Sequence, residues 1–395
     1  MDFCVLLQQF FLLDMIVQHP ILWCGALFTA GIALGLRFPL PYYLPLLAVA
    51  VIACTLLRTS RHWHEILTLL VWLLLGCSRA AVCPVCDTEE APLSVTEHKA
   101  RTVRANLTAR LGKAGLAPRT LALCRALVLG QRDGLKRETR QSYAKVGASH
   151  LLALSGMHLG IIYTILYLLL IHWVRHTRWR WFALPPFLLL LWSYALVAGM
   201  PVSLVRAALM LSVFTILFLM QYETDPLHPW ALSAIIILLI APADLLSISF
   251  QLSFSAVFFI LALWGPLRDR LPELPWAARL LAVSCAAQIG TMPLTLYYFH
   301  QLPLIAPLIS LVLIPLTTLI ICLTLTAMLL PVAPIGWLLN NLEALQQFII
   351  DLAGSIPGGT LTGFYPSGAL VALLYGAMLT AIVRLRTAPS QADSL

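Results

Sequence analysis

Eight positions stand out because a chain this apolar has least use for their chemistry there. His150, Ser155, Gly156 and His158 fall in one apolar stretch, Arg206 opens a second, Gln251 and Ser253 lie in a third, and Gln288 in a fourth. Ionisable and strongly polar groups are expensive in hydrocarbon and tend to line cavities or pathways. On a continuous helix His158 would lie about 12 Å beyond His150, and Ser155 and His158, three apart, would share a face. That pattern suits a polar vestibule narrowing inward, with hydrogen bonding that merely holds helices together as the plainer alternative. Other chemistries fit less well. Ala153-Leu154-Ser155-Gly156 lacks the first glycine of a Gly-x-Ser-Gly nucleophile motif. His150 and His158 are not four apart and have no carboxylate nearby, so no metal site is expected. No glycine-rich phosphate loop occurs, and no cofactor is expected.

The elements that must position these groups are membrane helices. Of 395 residues 60% are hydrophobic and 11% charged, against roughly a quarter charged in soluble domains. Candidate apolar spans recur at 21–36, 44–57, 66–82, 149–171, 181–198, 203–220, 230–241, 247–265, 277–299, 304–330 and 368–384, of which 44–57 and 230–241 are short enough to be tilted, thinned or re-entrant. They predict an all-α, polytopic helix bundle with about 9 to 11 transmembrane helices. Residues 336–354, with Trp337, Asn340, Glu343, Gln346, Gln347 and Asp351, read as an amphipathic interfacial helix. Asp2 and Asp14 replace the basic start of a secretory signal, so the first apolar stretch is expected to stay. Cys83 and Cys86 form a lone CxxC, without the second pair that a structural zinc site needs. They would form a local disulfide in an oxidising compartment or stand as two separate thiols.

Charge is unevenly distributed. Between Glu97 and Lys145 there are 12 Lys or Arg and 3 acidic residues, a local balance of +9 against +8 for the whole chain. Short loops carry Arg58 and Arg61, Arg175, Arg178 and Arg180, and Arg268 and Arg270. The positive-inside rule makes their shared side cytoplasmic, which leaves the basic segment outside. There it would bind lipid headgroups or form an electrostatic collar for a polyanion. Arg101, Arg104, Arg132, Lys136, Arg137, Arg140 and Lys145 are the candidate phosphate contacts. Arg384 and Arg386 favour a cytoplasmic C-terminus whereas counting spans places it outside.

One string is recognisable. His150-Leu-Leu-Ala-Leu-Ser155-Gly-Met-His158-Leu-Gly160 resembles the signature of the ComEC family of competence proteins, preceded by Leu127-Val-Leu-Gly130-Gln-Arg132. Blocks at Ser203–Met210, Ser249–Phe254 and Gln288–His300 follow in the family's order. The resemblance implies an inner-membrane channel that takes up single-stranded transforming DNA, among membrane lipids, with a separate DNA receptor, nuclease and cytoplasmic helicase as partners. Longer members carry an OB-type domain and a metallo-β-lactamase-like domain. Residues 83–98 are too short for the first and the stretch after Arg386 for the second, so no enzyme activity is expected of this chain. The resulting layout is N-terminal transmembrane helices at 1–82, a basic amphipathic helical segment on the periplasmic side at 83–148, a ComEC-like core at 149–331, and an amphipathic helix with the last transmembrane helix at 332–395. The competing readings are an envelope enzyme acting on lipid-linked glycans and a non-transporting membrane scaffold.

Overall fold

Apolar runs punctuated by proline, glycine and clustered charge set where the helices start and stop. The computed structural model describes residues 20–38, 43–56, 61–82, 95–152, 154–221, 225–270, 275–356 and 358–387. Cys83 and Cys86 lie outside them. The chain is an all-α, polytopic membrane helix bundle, and it divides into two units: residues 1–91 with 213–254, and 92–212 with 255–395.

The first unit contains α1 (Pro20–Arg37), α2 (Tyr43–Leu56) and α3 (Arg61–Val82). Small residues let α1 and α3 touch backbone to backbone. A Cβ at Gly31 would meet the Leu73 carbonyl oxygen at 2.0 Å, and one at Gly76 would meet that of Phe28 at 2.2 Å. Gly31 and Gly35 form the GxxxG spacing by which apolar helices associate in lipid, where burial of side chains gives no driving force.

In the second unit come α4 (Val95–Gly112), α5 (Pro118–Leu129), α6 (Arg137–Lys145), the single turn α7 (Ser149–Leu152), α8 (Gly156–Leu166, continuing as a π turn to Ile171) and α9 (Arg180–Val197). Helix α10 (Val202–Leu219) leads out of this unit; α11 (Leu227–Ile240) belongs to the first, and α12 (Ile248–Arg270) leads back. The chain then follows α13 (Trp276–Phe299), β1 (Gln301–Pro303), α14 (Ala306–Leu329), α15 (Ala333–Gly354), β2 (Thr360–Thr362) and α16 (Gly368–Thr387). Among the described residues six helices are long and apolar enough to cross a membrane: α9, α10, α12, α13, α14 and α16. Four shorter apolar stretches lie in α1, α3, α8 with its π turn, and α11.

The core of the second unit forms where α4 to α7 pack on the α14–α15 hairpin, around Leu111, Leu127, Leu151, Leu313, Leu339 and Ile350. Helix α15 is amphipathic with its faces reversed from a water-borne helix. Glu343, Gln346 and Gln347 are buried, while Trp337, Leu345, Phe348 and Leu352 are exposed. Such a helix shows its apolar side to lipid and its polar side to protein. Arg119 on α5 pairs with Glu343 at 2.8 Å, and Gln346 donates to the Thr317 hydroxyl on α14 at 2.9 Å. Burial raises the Glu343 carboxyl pKa and Arg119 opposes it. Asn340 clamps the α4–α5 turn, accepting from the Ala117 N–H at 2.9 Å and donating to the Gly115 carbonyl. Gly336 sits so close beneath that turn that a Cβ would reach the Ala114 oxygen at 1.8 Å.

Arg104 closes the end of α9. Its Nε donates to the Val197 carbonyl at 2.6 Å, placing a cation at the negative end of the helix dipole. Gly199, at φ +91°, lies beneath the guanidinium, which a Cβ would meet at 2.8 Å.

Helix α16 runs parallel to the second half of α12. Tyr375 lies 3.2 Å from the Ser255 hydroxyl, and further along both helices Arg386 donates to the carbonyls of Ala262 and Leu261. The packing therefore puts Arg384 and Arg386 toward the Arg268 end of α12, the side that charge alone favours.

A reporter fused after Thr387 should show the same sidedness as one inserted between α12 and α13; opposite sidedness would refute the parallel packing. Arg104→Leu should lower stability by about 1.5–3 kcal/mol, the range for a hydrogen bond to a charged group, read as a lower melting temperature. Arg137→Gln, on an exposed side chain, should leave the melting temperature within error of the parent.

Candidate functional site

The apolar stretch that begins at Ser149 is not one continuous helix. It makes a single turn through Leu152 and restarts at Gly156, with Ser155 extended at φ −122°, ψ 173°. The reason is local. Ser155 and His158 form a capping box, with the imidazole in the place usually held by Glu or Gln. The Ser155 N–H donates to His158 Nδ1 at 3.3 Å, and the Ser155 hydroxyl lies 3.0 Å from the same nitrogen. An N–H can only donate, so Nδ1 is the acceptor and the neutral ring carries its proton on Nε2. His158 is 0% exposed, with the Leu151 carbonyl of the preceding turn beside its ring.

Helix α10 seals the interruption from the side. Ser203 Oγ donates to the Leu154 carbonyl at 2.7 Å, pairing a backbone acceptor at the break. Gly156 lets α10 come close, since a Cβ there would be 3.3 Å from that of Ala207. Arg206 lies between these two contacts on α10 and is 1% exposed. Arg206, the His158 imidazole and the start of α8 therefore lie on segments that meet at one helix interruption. Such a group can hold an anionic oxygen by charge and hydrogen bonding. The Ser155–His158 contact has the length of a nucleophile–base pair, but both groups here cap the first turn of α8.

A second focus is the two-stranded ribbon of β1 and β2, antiparallel with Gln301 opposite Thr362 and Pro303 opposite Thr360. Gln288, on α13, donates to the Pro303 carbonyl at 3.2 Å. His150 is exposed, with Nδ1 3.1 Å from the Gly147 carbonyl. Gly147 in turn abuts Pro303, whose Cγ would lie 2.4 Å from a Cβ at that position. The eight apolar-stretch candidates thus fall into groups. Ser155, Gly156, His158 and Arg206 gather at the helix interruption, and His150 and Gln288 gather at the ribbon. Gln251 and Ser253 lie in the other unit, where Gln251 donates to the Leu245 carbonyl at 3.0 Å.

Among the phosphate candidates Arg101, Arg132, Lys136, Arg137, Arg140 and Lys145 are exposed, whereas Arg104 is half-buried at the end of α9. Arg140 donates to the Arg132 carbonyl and orders the turn before α6. Among the described residues no group of three or more His, Cys, Asp or Glu is placed to hold a metal ion. Sequence reasoning missed the ribbon and the partners of Ser203 and Asn340. Ser203 opens the Ser203–Met210 block, but its partner, the Leu154 carbonyl, is invisible in side-chain patterning.

Residues 127–388 match the family model described as "Competence protein". "ComE operon protein 3" of Bacillus subtilis is 34% identical over 229 residues, which is 58% of this chain and 28% of that protein. "Competence protein ComA" of Neisseria gonorrhoeae is 30% identical over 206 residues, 49% of this chain and 28% of its own length. "Recombination protein 2" of Haemophilus influenzae is 27% identical over 285 residues, 68% of this chain and 36% of its own. The matched parts are therefore roughly a third or less of those relatives. No solved structure matches the chain. The matched region includes the interrupted helix, Arg206 and the ribbon, and it places this chain in the ComEC family of competence proteins.

Proposed function

We propose that this chain is the membrane conduit through which a single strand of transforming DNA passes the bacterial inner membrane during natural competence. The observation that carries this reading is the interrupted helix. Within the region matched to the competence family, α7 and α8 break beside α10, which carries Arg206, 1% exposed, and His158, 0% exposed, stands at the break. A polyanion crossing an apolar bundle needs such fixed donors, because hydrocarbon supplies none. The exposed basic residues of α4 to α6 would gather phosphates on the outer side, where the positive-inside rule puts this segment. Membrane lipids surround the bundle. A separate DNA receptor, a nuclease that degrades the other strand and a cytoplasmic helicase complete the proposed pathway, and no strand cleavage is assigned to these residues.

Deleting the gene should abolish entry of labelled donor strand into the cytoplasm. Intact import with altered surface polysaccharide would instead favour an envelope enzyme. Arg206→Ala should remain in the membrane yet lose genetic transformation, and normal transformation would remove Arg206 from the path. Replacing Arg137, Arg140 and Lys145 together by Gln should weaken binding of single-stranded DNA. The slope of log affinity against log salt should become shallower by about 2, at roughly 0.7 for each phosphate that is no longer neutralised. An unchanged slope would take α6 out of the DNA contact.

A further inference from the structure

The ribbon that joins the ends of the α14–α15 hairpin carries aromatic side chains that no role above uses. Directly after β2 stand Phe364 and Tyr365, 52% and 72% exposed. Tyr365 packs on His300 with ring centroids 4.4 Å apart and planes at 43°. His300 is held in place by its backbone. It takes a left-handed φ of +55° at the end of α13, and its carbonyl accepts from the Gly363 N–H at 3.2 Å. One face of Tyr365 is thus backed by an ordered ring while most of the side chain stays open.

The surroundings decide what this aromatic pair meets. The ribbon has two strands of three residues each among the described residues. An open two-stranded ribbon leaves edge N–H and C=O groups that lipid cannot satisfy, so its free edges face water or protein. Its other contacts point to water as well. Thr360 donates to the Lys145 carbonyl at 2.8 Å, joining the ribbon to α6, whose sequence RETRQSYAK is too polar for hydrocarbon. Arg137, Arg140 and Lys145 on that helix are exposed. Basic side chains that follow a backbone, next to open rings on which bases stack, are the two components of a sequence-tolerant site for single-stranded nucleic acid.

We propose that Phe364 and Tyr365, backed by His300, form a base-stacking platform for single-stranded DNA beside the phosphate contacts of α6. This inference rests on the reading that the chain binds a single DNA strand, and it adds that the strand is held by its bases as well as its charge. Stacking tolerates any base, as a conduit for unselected sequence requires.

The test uses the full chain in lipid nanodiscs with two probes of equal phosphate count, an oligothymidylate and an abasic oligomer. The parent should bind the oligothymidylate about tenfold tighter, the size of one stacked base. Phe364→Leu with Tyr365→Leu should abolish that difference while leaving the abasic affinity unchanged, and Tyr365→Phe should retain it. Equal binding of both probes by the parent, or an equal loss of both in the leucine variant, would overturn the platform and leave phosphate binding standing. Failure of both probes to bind would overturn the DNA reading itself. Tyr365→Trp supplies the second measurement: the emission it adds over the parent, whose 11 native tryptophans set the background, should be altered by oligothymidylate and unaffected by brominated lipid. Quenching of that added emission by brominated lipid alone would make the pair a membrane anchor and sink the proposal.

Discussion

A helix that stops inside an apolar bundle leaves backbone carbonyls and N–H groups with no water to take them. The interruption between α7 and α8 is tolerable only because protein groups replace that water. Ser203 reaches across from α10 to the Leu154 carbonyl, and His158 folds back on the Ser155 N–H. Those contacts fix where α10 sits, and with it where Arg206 is buried. The polar site and the local fold are consequences of one requirement. A continuous helix from Ser149 to Ile171 would satisfy its own backbone and give α10 no reason to approach Gly156.

Much of the architecture was legible because hydrocarbon imposes a simple rule on composition. Runs such as 306–329 declare themselves by length and apolarity, and the basic character of 97–145 is a matter of counting. The helix interruption was not legible for a physical reason. Ser155, Gly156 and His158 are each compatible with a helix interior or with a helix start, and a three-residue spacing is shared by one face of a helix and by a capping box. Which applies depends on whether a partner is present for the Leu154 carbonyl, and that partner is 49 residues away. The ribbon was harder still. Its strands are three residues each, too short for their alternation to stand out, and their pairing is set by the hairpin of α14 and α15 between them.

Helix α15 shows the same ambiguity in its faces. Its sequence has the two sides of an interfacial helix, and amphipathicity alone does not say which side meets protein. Partners decide it. Glu343 has Arg119, Gln346 has Thr317, and Asn340 has the α4–α5 turn, so the polar side turns inward and Trp337, Phe348 and Leu352 turn out. One polar side chain on a water-soluble helix is cheap to expose. On a helix bordered by lipid it is cheap only when buried against another polar group.

The same logic separates arginines that look alike in the sequence. Arg101 and Arg104 are both exposable cations on α4, yet Arg104 is committed to the carbonyl end of α9 and Arg101 is open. A cation bound to a helix end is part of the scaffold, and losing it loosens α9. An open cation can exchange counterions for phosphates, which is the source of affinity for nucleic acid. On the proposed reading the basic segment does two jobs with one residue type. Arg104 and Arg119 fasten it to α9 and α15, and exposed charges of α6 such as Arg137 and Lys145, on which that fastening does not depend, would face the polyanion.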